Sequence, residues 1–313
     1  MRREWTWREA GLAAVYLGLG MASVLLWTRI ADLQRLPSWH LDMIGGHAPA
    51  PNQYRPLTPW LAEGLRYLLP GESVYTAYLL LRGLITGLTL FFFDRYLRVW
   101  FSSAAAAGGA LCLAAIMPFT YWRVVQESDP VNLLVFVLGF WALARERDLL
   151  LIPLVLVGTL NRETTAMLPA VYLLARWRER PAGEVAWRTA AIAGAWALAY
   201  GALRLGYGER EYYCAVVMWS DNVKTLGPTV LVLLLFGAMW GLAFVGAKTG
   251  PTMLRRSLWL VPPYIALHYV VALAWEVRLF LPLAPVIIPL SWLVLFPETE
   301  RAAAERGRSK RSR

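Results

Sequence analysis

The stretch Val74–Phe93 reads VYTAYLLLRGLITGLTLFFF, apolar or uncharged throughout except for one cation, Arg82. As an α-helix it is about 30 Å long, the thickness of a bilayer's hydrocarbon core. In that layer every backbone N–H and C=O must be bonded within the protein, and a helix does this locally. Outward from it, similar runs fall near 10–28, 102–120, 131–144, 188–206, 227–247, 257–275 and 279–296. The run 149–176 differs: two apolar arms are broken by Asn161-Arg162-Glu163-Thr164. An arm of about a dozen residues makes roughly 18 Å of helix, too short for a comfortable crossing. It predicts either a helical hairpin whose polar tip reaches a cavity, or two short, tilted spans. With both arms counted, the expectation is an all-α, polytopic transmembrane helix bundle of about ten membrane segments over residues 1–298. Residues 299–313 are expected to form a basic, disordered cytoplasmic tail attracted to anionic lipid.

Composition agrees. Hydrophobic residues make up 58% of the 313, more than a soluble domain of that size hides. The 16 Trp and 14 Tyr suit rings placed at the headgroup level. The net charge of +10 invites a nucleic-acid reading, but in an apolar chain it reads better as Lys and Arg held in cytoplasmic loops. With the N-terminus inside, the inner pieces collect Arg95, Arg98, Arg176, Arg178, Arg180, Arg188, Arg255, Arg256 and the basic run from Arg301. Both termini are therefore expected in the cytoplasm. Of the two cysteines, Cys112 lies in an apolar run and Cys214 in a loop, so no disulfide is expected. The first apolar run lacks a small-residue cleavage site, so no cleavable signal is expected.

The polar chemistry gathers on the outer side. The longest outer segment, 29–73, holds Asp32, His40, Asp42, His47 and Gln53-Tyr54-Arg55-Pro56-Leu57-Thr58-Pro59-Trp60. The second outer turn carries Arg123, Gln126, Glu127 and Asp129, with Asp129-Pro130 reading as a helix start. The hairpin tip offers Asn161, Arg162 and Glu163, and a late turn reads Trp275-Glu276-Val277-Arg278-Leu279-Phe280-Leu281-Pro282. Ionisable groups at membrane depth are costly, so they line a cavity and pair. Each has a plainer reading. Arg162 with Glu163, or Glu276 with Arg278, can pair locally; Asp32, beside Arg29 and Arg35, reads as a solvated interfacial charge. His40 and His47 flank Asp42, but their spacing matches no zinc pattern, and loop histidines are more often solvated. Arg82 needs an acidic partner that the sequence does not name. Taken together, arginine forks match phosphate oxygens, and a nearby carboxylate can take a proton from a hydroxyl.

In this order the segments resemble the small bacterial multispanning proteins of the GT-C glycosyltransferase superfamily. The likeness runs over roughly residues 10–296: a first span, an acidic outer loop, Tyr-Arg-Pro-Leu-x-Pro, an acidic second turn, Asn-Arg-Glu-Thr, and Glu-Val-Arg-x-Phe-x-Pro. The resemblance implies an inverting transferase that uses a polyprenyl-phosphate sugar and a glycan, lipid or protein acceptor. It implies the bacterial inner membrane, with the active site on the extracytoplasmic face. It makes Asp42 the leading catalytic base, oriented by His40, with Asp32 in reserve and Glu163 a further candidate. Arg55 and Arg278 become phosphate binders, and Tyr54, Asn161, Arg162 and Glu276 line the donor site. Glu127 and Asp129 match an acidic second loop that in some relatives binds a divalent metal, Mg or Mn. The chain departs from larger members in ending on a basic tail rather than an extracytoplasmic domain. Two other functions fit arginines around a membrane cavity: a transporter or flippase of a lipid-linked anion, and a non-catalytic envelope scaffold.

Overall fold

A computed structural model describes residues 7–69, 71, 73–121, 127–213, 215 and 217–297. The basic tail 299–313, Arg2, Arg3, Arg123, Gln126 and Cys214 lie outside the described residues. The described chain is all-α, apart from one isolated bridge between Ala50 and Tyr212. The helices are α1 Trp7–Ile30, α2 Leu36–Ile44, α3 Leu57–Leu68, α4 Val74–Leu97, α5 Ser103–Ile116, α6 Ser128–Ala144, α7 Leu151–Thr159, α8 Met167–Arg176, α9 Ala182–Tyr207, α10 Trp219–Val223, α11 Gly227–Phe236, α12 Met239–Gly246, α13 Thr252–Ser257, α14 Val261–Val271 and α15 Ala284–Leu295. Short 3₁₀ turns extend or join them, notably Asn52–Tyr54, Glu163–Ala166 and Val277–Leu283.

Among the described residues, four helical stretches are long and apolar enough to cross a membrane: Glu9–Ile30, Val74–Leu97, Ser103–Thr120 and Val277–Leu295. The pair α11 and α12 makes a fifth if it counts as one span bent by 55°. That bend falls at Gly237, whose φ of +49° a side chain would strain. Of the ten membrane segments expected from the sequence, these four or five meet that length and apolarity. Helix α9 is long enough but less apolar than these, with Glu184, Arg188 and Arg204 along it. The run 257–275 breaks into α13, a 3₁₀ turn and the short α14, and α6 has 17 residues.

Burial orders the bundle. The stretch Val277–Leu295 is 94% buried, so it forms the middle, whereas the apolar window of α1 is 22% buried and presents most of its surface outward. Helix α15 packs on α12 and α5, α4 on α1 and α6, and α7 on α9. Ring donors fasten the centre: Tyr96 Oη donates to the Pro285 carbonyl at 2.7 Å and Trp292 Nε1 to the Ala105 carbonyl at 2.8 Å. At the α1–α4 crossing small residues let the backbones meet. A Cβ on Gly87 would sit 2.8 Å from Leu17 Cα, and one on Gly20 would strike the Gly83 carbonyl.

The hairpin has the short arms the sequence predicts: Asp148–Thr159 is a 12-residue helix, and Met167–Arg176 follows the tip. Its open end is clamped by Asp148, 2% exposed, which accepts from Arg176 Nη2 at 2.7 Å and lies 3.3 Å from Arg180 Nε and 3.4 Å from Arg188 Nη1. The tip, at the other end, is where the site forms.

Candidate functional site

The tip is held by two segments. Thr58 Oγ1 on α3 donates to Asn161 Oδ1 at 2.7 Å, and Asn161 Nδ2 donates to the Ser128 carbonyl at the start of α6 at 2.8 Å. The Leu57 amide donates to the Leu160 carbonyl at 3.1 Å. Asn161 is fully buried with both ends of its amide occupied, so it positions the tip and is not among the residues lining the cavity, contrary to its expected donor contact. The turn before Arg55 is pinned by buried Gln53, which accepts from the Ala48 amide at 2.9 Å and donates to the Met43 carbonyl at 3.2 Å. The late turn is pinned by buried Asn222, bonded to the backbones of Tyr269, Ala272 and Ala274 at 2.7–2.8 Å.

These braces gather the expected arginines and carboxylates into three neighbouring sets of ion pairs. Arg55 donates twice to Glu163, with Nε 3.0 Å from Oε2 and Nη2 on Oε1. Arg162 Nη1 donates to Asp129 Oδ1, and Arg278 Nη1 reaches Asp129 Oδ2 at 2.5 Å. Arg278 Nη2 then donates to Glu276 Oε2, so the local pair expected there exists beside a long-range one. Arg82 finds its partner in Glu127, with Nη1 3.5 Å from Oε2, and its guanidinium lies over the rings of Trp27 at 4.3 Å and Tyr121 at 4.8 Å. Among the described residues, four arginines thus face four carboxylates. The arginine heads are 5–9% exposed, whereas Glu163 and Glu276 are 39% and 22% exposed.

Beside these pairs lies a cavity of about 410 Å³. Tyr54, Arg55, Arg162, Glu163 and Glu276 line its polar end; Leu267, Val271 and Leu279 give it an apolar wall. Arg204 of α9 lines it too, bonded to Tyr212 Oη at 2.8 Å and lying 3.8 Å from the Tyr54 ring. Among the described residues Arg204 has no carboxylate partner, making it the cavity's uncapped cation. Sequence reading passed over it, and over buried Tyr264 and His268 on α14, because each sits alone in an apolar run. The aromatic spacing Tyr200, Arg204 and Tyr207 on one helix face was the available signal.

The first-loop acids are not brought in. Asp32 and Asp42 are exposed, and neither lines the cavity; the solvated reading of Asp32 holds. Helix α2 turns Leu36, His40 and Met43 inward. His40 is buried, not solvated, and does not orient Asp42. Its Nε2 lies 2.8 Å from Glu63 Oε2 and its Nδ1 3.1 Å from Tyr78 Oη. An ionised Glu63 only accepts, so Nε2 carries the hydrogen and Nδ1 takes the Tyr78 hydroxyl. Nor do Glu127 and Asp129 fit a divalent metal: three of their four oxygens face guanidinium groups. Among the described residues no three His, Cys, Asp or Glu side chains are arranged to hold one. Asp129 is not the N-cap of α6, which is Glu127; it sits in the first turn with its carboxylate committed to the two arginines.

No protein-family model matches the chain, and no curated protein and no solved structure matches it significantly.

Proposed function

We propose that this chain is an integral membrane glycosyltransferase of the GT-C kind, moving a sugar from a polyprenyl phosphate to an acceptor with inversion. One observation carries the reading: buried arginines and an uncapped Arg204 share a cavity with an exposed carboxylate and an apolar wall. A phosphate on an isoprenoid needs both surfaces, cations for its oxygens and an apolar flank for its chain. Arg204 and Arg55 are the binders we assign to it. The acceptor hydroxyl attacks the anomeric carbon as the bond to the phosphate oxygen breaks. The phosphate leaves with the bonding electron pair, and the hydroxyl proton passes to Glu163. The arginines stabilise the charge that grows on the leaving phosphate. Glu163 takes the base role ahead of Asp42 and Asp32 because it alone of the three lines the cavity.

The finer topology belongs to the same proposal: about ten membrane segments, including α9 and the hairpin arms, with the site at the extracytoplasmic face and the Asp148 clamp at the cytoplasmic one. Incubating the purified protein in nanodiscs with a panel of polyprenyl-phosphate sugars tests the activity. Consumption of one donor with release of polyprenyl phosphate is expected. A panel left intact in the presence of glycan, lipid and protein acceptors counts against transfer.

A second reading, a transporter or flippase of a lipid-linked anion, is favoured by the broken pair α11–α12 and the short-armed hairpin, since interrupted helices frame many transport sites. Movement of an intact donor between leaflets, without release of phosphate, would separate it from transfer.

A further inference from the structure

We propose that Glu163 is an exchangeable counter-ion: it holds the Arg55 guanidinium until a phosphoryl group arrives, and the phosphoryl group takes its place. The proposal rests on reading the cavity as a phosphate site. Three features lead to it. Both Arg55–Glu163 bonds run between a buried guanidinium, 9% exposed, and a carboxylate 39% exposed to the cavity. The carboxylate therefore stands on the cavity side of the arginine, where a ligand oxygen would have to sit. Among the described residues each of the four arginines already has a carboxylate partner, so an arriving anion meets Arg55 with Glu163 in place. Among the described residues, the cation of the cavity without a carboxylate partner is Arg204, which can draw an anion in but offers a single fork.

A phosphoryl group at Arg204 alone would add negative charge beside Glu163 and Glu276. Exchange removes that conflict. The phosphoryl oxygens accept from the Arg55 fork, and Glu163 swings into the cavity volume beside it. Asp129 cannot do the same: it is 9% exposed and bridges Arg162 and Arg278 from behind. The exchange also answers a difficulty of the transfer chemistry. A carboxylate bonded twice to an arginine is a poor base, and release from Arg55 makes Glu163 a better one at the moment the donor is in place.

The test is binding, measured in nanodiscs with a polyprenyl monophosphate and, in solution, with inorganic phosphate. Glu163→Gln removes the competitor and should tighten binding by roughly tenfold or more, because Arg55 is then left without its charged partner. Arg55→Lys should weaken binding in the same assay, since Lys lacks the planar fork. Asp42→Asn, an exposed acid off the cavity, is the control and should change nothing. A shift seen with both probes assigns recognition to the phosphoryl group itself; a shift with the lipid alone assigns it to a lipid-linked headgroup. If Arg55→Lys weakens binding while Glu163→Gln leaves it unchanged or weaker, exchange is wrong and the phosphate site stands. If Asp42→Asn tightens binding as much as Glu163→Gln, the effect is one of overall charge and exchange is overturned. If Arg55→Lys has no effect, the phosphate site fails as well. Should Glu163→Gln not fold, Glu163→Asp decides: its shorter arm cannot keep both bonds, and binding tighter than wild type is again expected.

Discussion

Arg55 and Glu163 stand 108 residues apart in sequence and meet through two hydrogen bonds, joining the segment before α3 to the tip of the short-armed hairpin. The guanidinium is buried, so the pair does structural work whatever else it does. Removing either partner strands a charge; removing both does not. Arg55→Met and Glu163→Gln should each lower unfolding stability in detergent by about 1–3 kcal/mol, with the arginine left by Glu163→Gln the costlier orphan. The double variant should lose less than the two single losses combined. Melting the four proteins checks this; strictly additive losses would mean that the pair carries no coupling.

The α1–α4 crossing makes a second prediction. Gly87 approaches Leu17 so closely that a methyl group would sit 2.8 Å from a backbone carbon, which no side-chain rotation relieves. Gly87→Ala should destabilise by about 1–3 kcal/mol through overpacking. Gly18, where an added methyl group would meet nothing within 4 Å, should accept alanine with little change. Equal melting temperatures for the two variants would show that the helices do not cross there.

Acid should loosen the loop that precedes the site. The carboxyl of Glu63 is held down to about 2 from 4.5, first by its hydrogen bonds from Arg66 and then by that from His40, against some burial. Arg66 lies 2.8 Å away and His40 2.8 Å away. A carboxyl whose folded value lies below its unfolded one contributes stability above about 4.5, and that contribution fades as pH falls toward 2. Melting temperature should therefore drop across that window in wild type, and drop less in Glu63→Gln. Parallel acid limbs in the two proteins would remove Glu63 from the account.

The gathering of charge at one end was legible because each charged segment interrupts an apolar run, and the cost of burying it forces company on it. The pairing was not. Arg278 meets Asp129 across 149 residues and Arg82 meets Glu127 across 45, and no local spacing encodes either contact. The first-loop acids were misplaced for a readable reason. Positions two apart on a helix point to opposite faces, so once 36–44 is helical, His40 inward means Asp42 outward. The apolar spacing of Leu36, His40 and Met43 carried that information. Helix breaks were not legible either, because runs of apolar residues do not reveal where a helix breaks. Gly237 bends one run by 55°, and the run 257–275 breaks at Leu258–Leu260, ahead of Pro262 and Pro263.

The catalytic base is the prediction on which the enzymatic reading turns. Three carboxylates compete. Asp32 and Asp42 belong to the segment that follows the first helix, but both are exposed and lie off the cavity. Glu163 lines the cavity beside Arg55 and Arg162, and its backbone is fixed by the Trp196 indole, which donates to its carbonyl at 3.0 Å. A proton acceptor must lie within hydrogen-bond reach of the attacking hydroxyl, so geometry ranks Glu163 first. Glu163→Gln should bind donor and yet transfer sugar roughly a hundredfold more slowly or worse, the loss expected when a general base is removed. Asp32→Asn and Asp42→Asn should keep donor affinity and turnover near those of wild type. Glu276, which lines the same cavity, is the fallback, and Glu276→Gln belongs in the same series. Loss of turnover in Asp42→Asn with Glu163→Gln active would return the role to the first loop, and the loop would then have to move onto the cavity during the reaction. Full turnover in all four variants would leave no carboxylate to accept the proton, and the transport reading would take precedence.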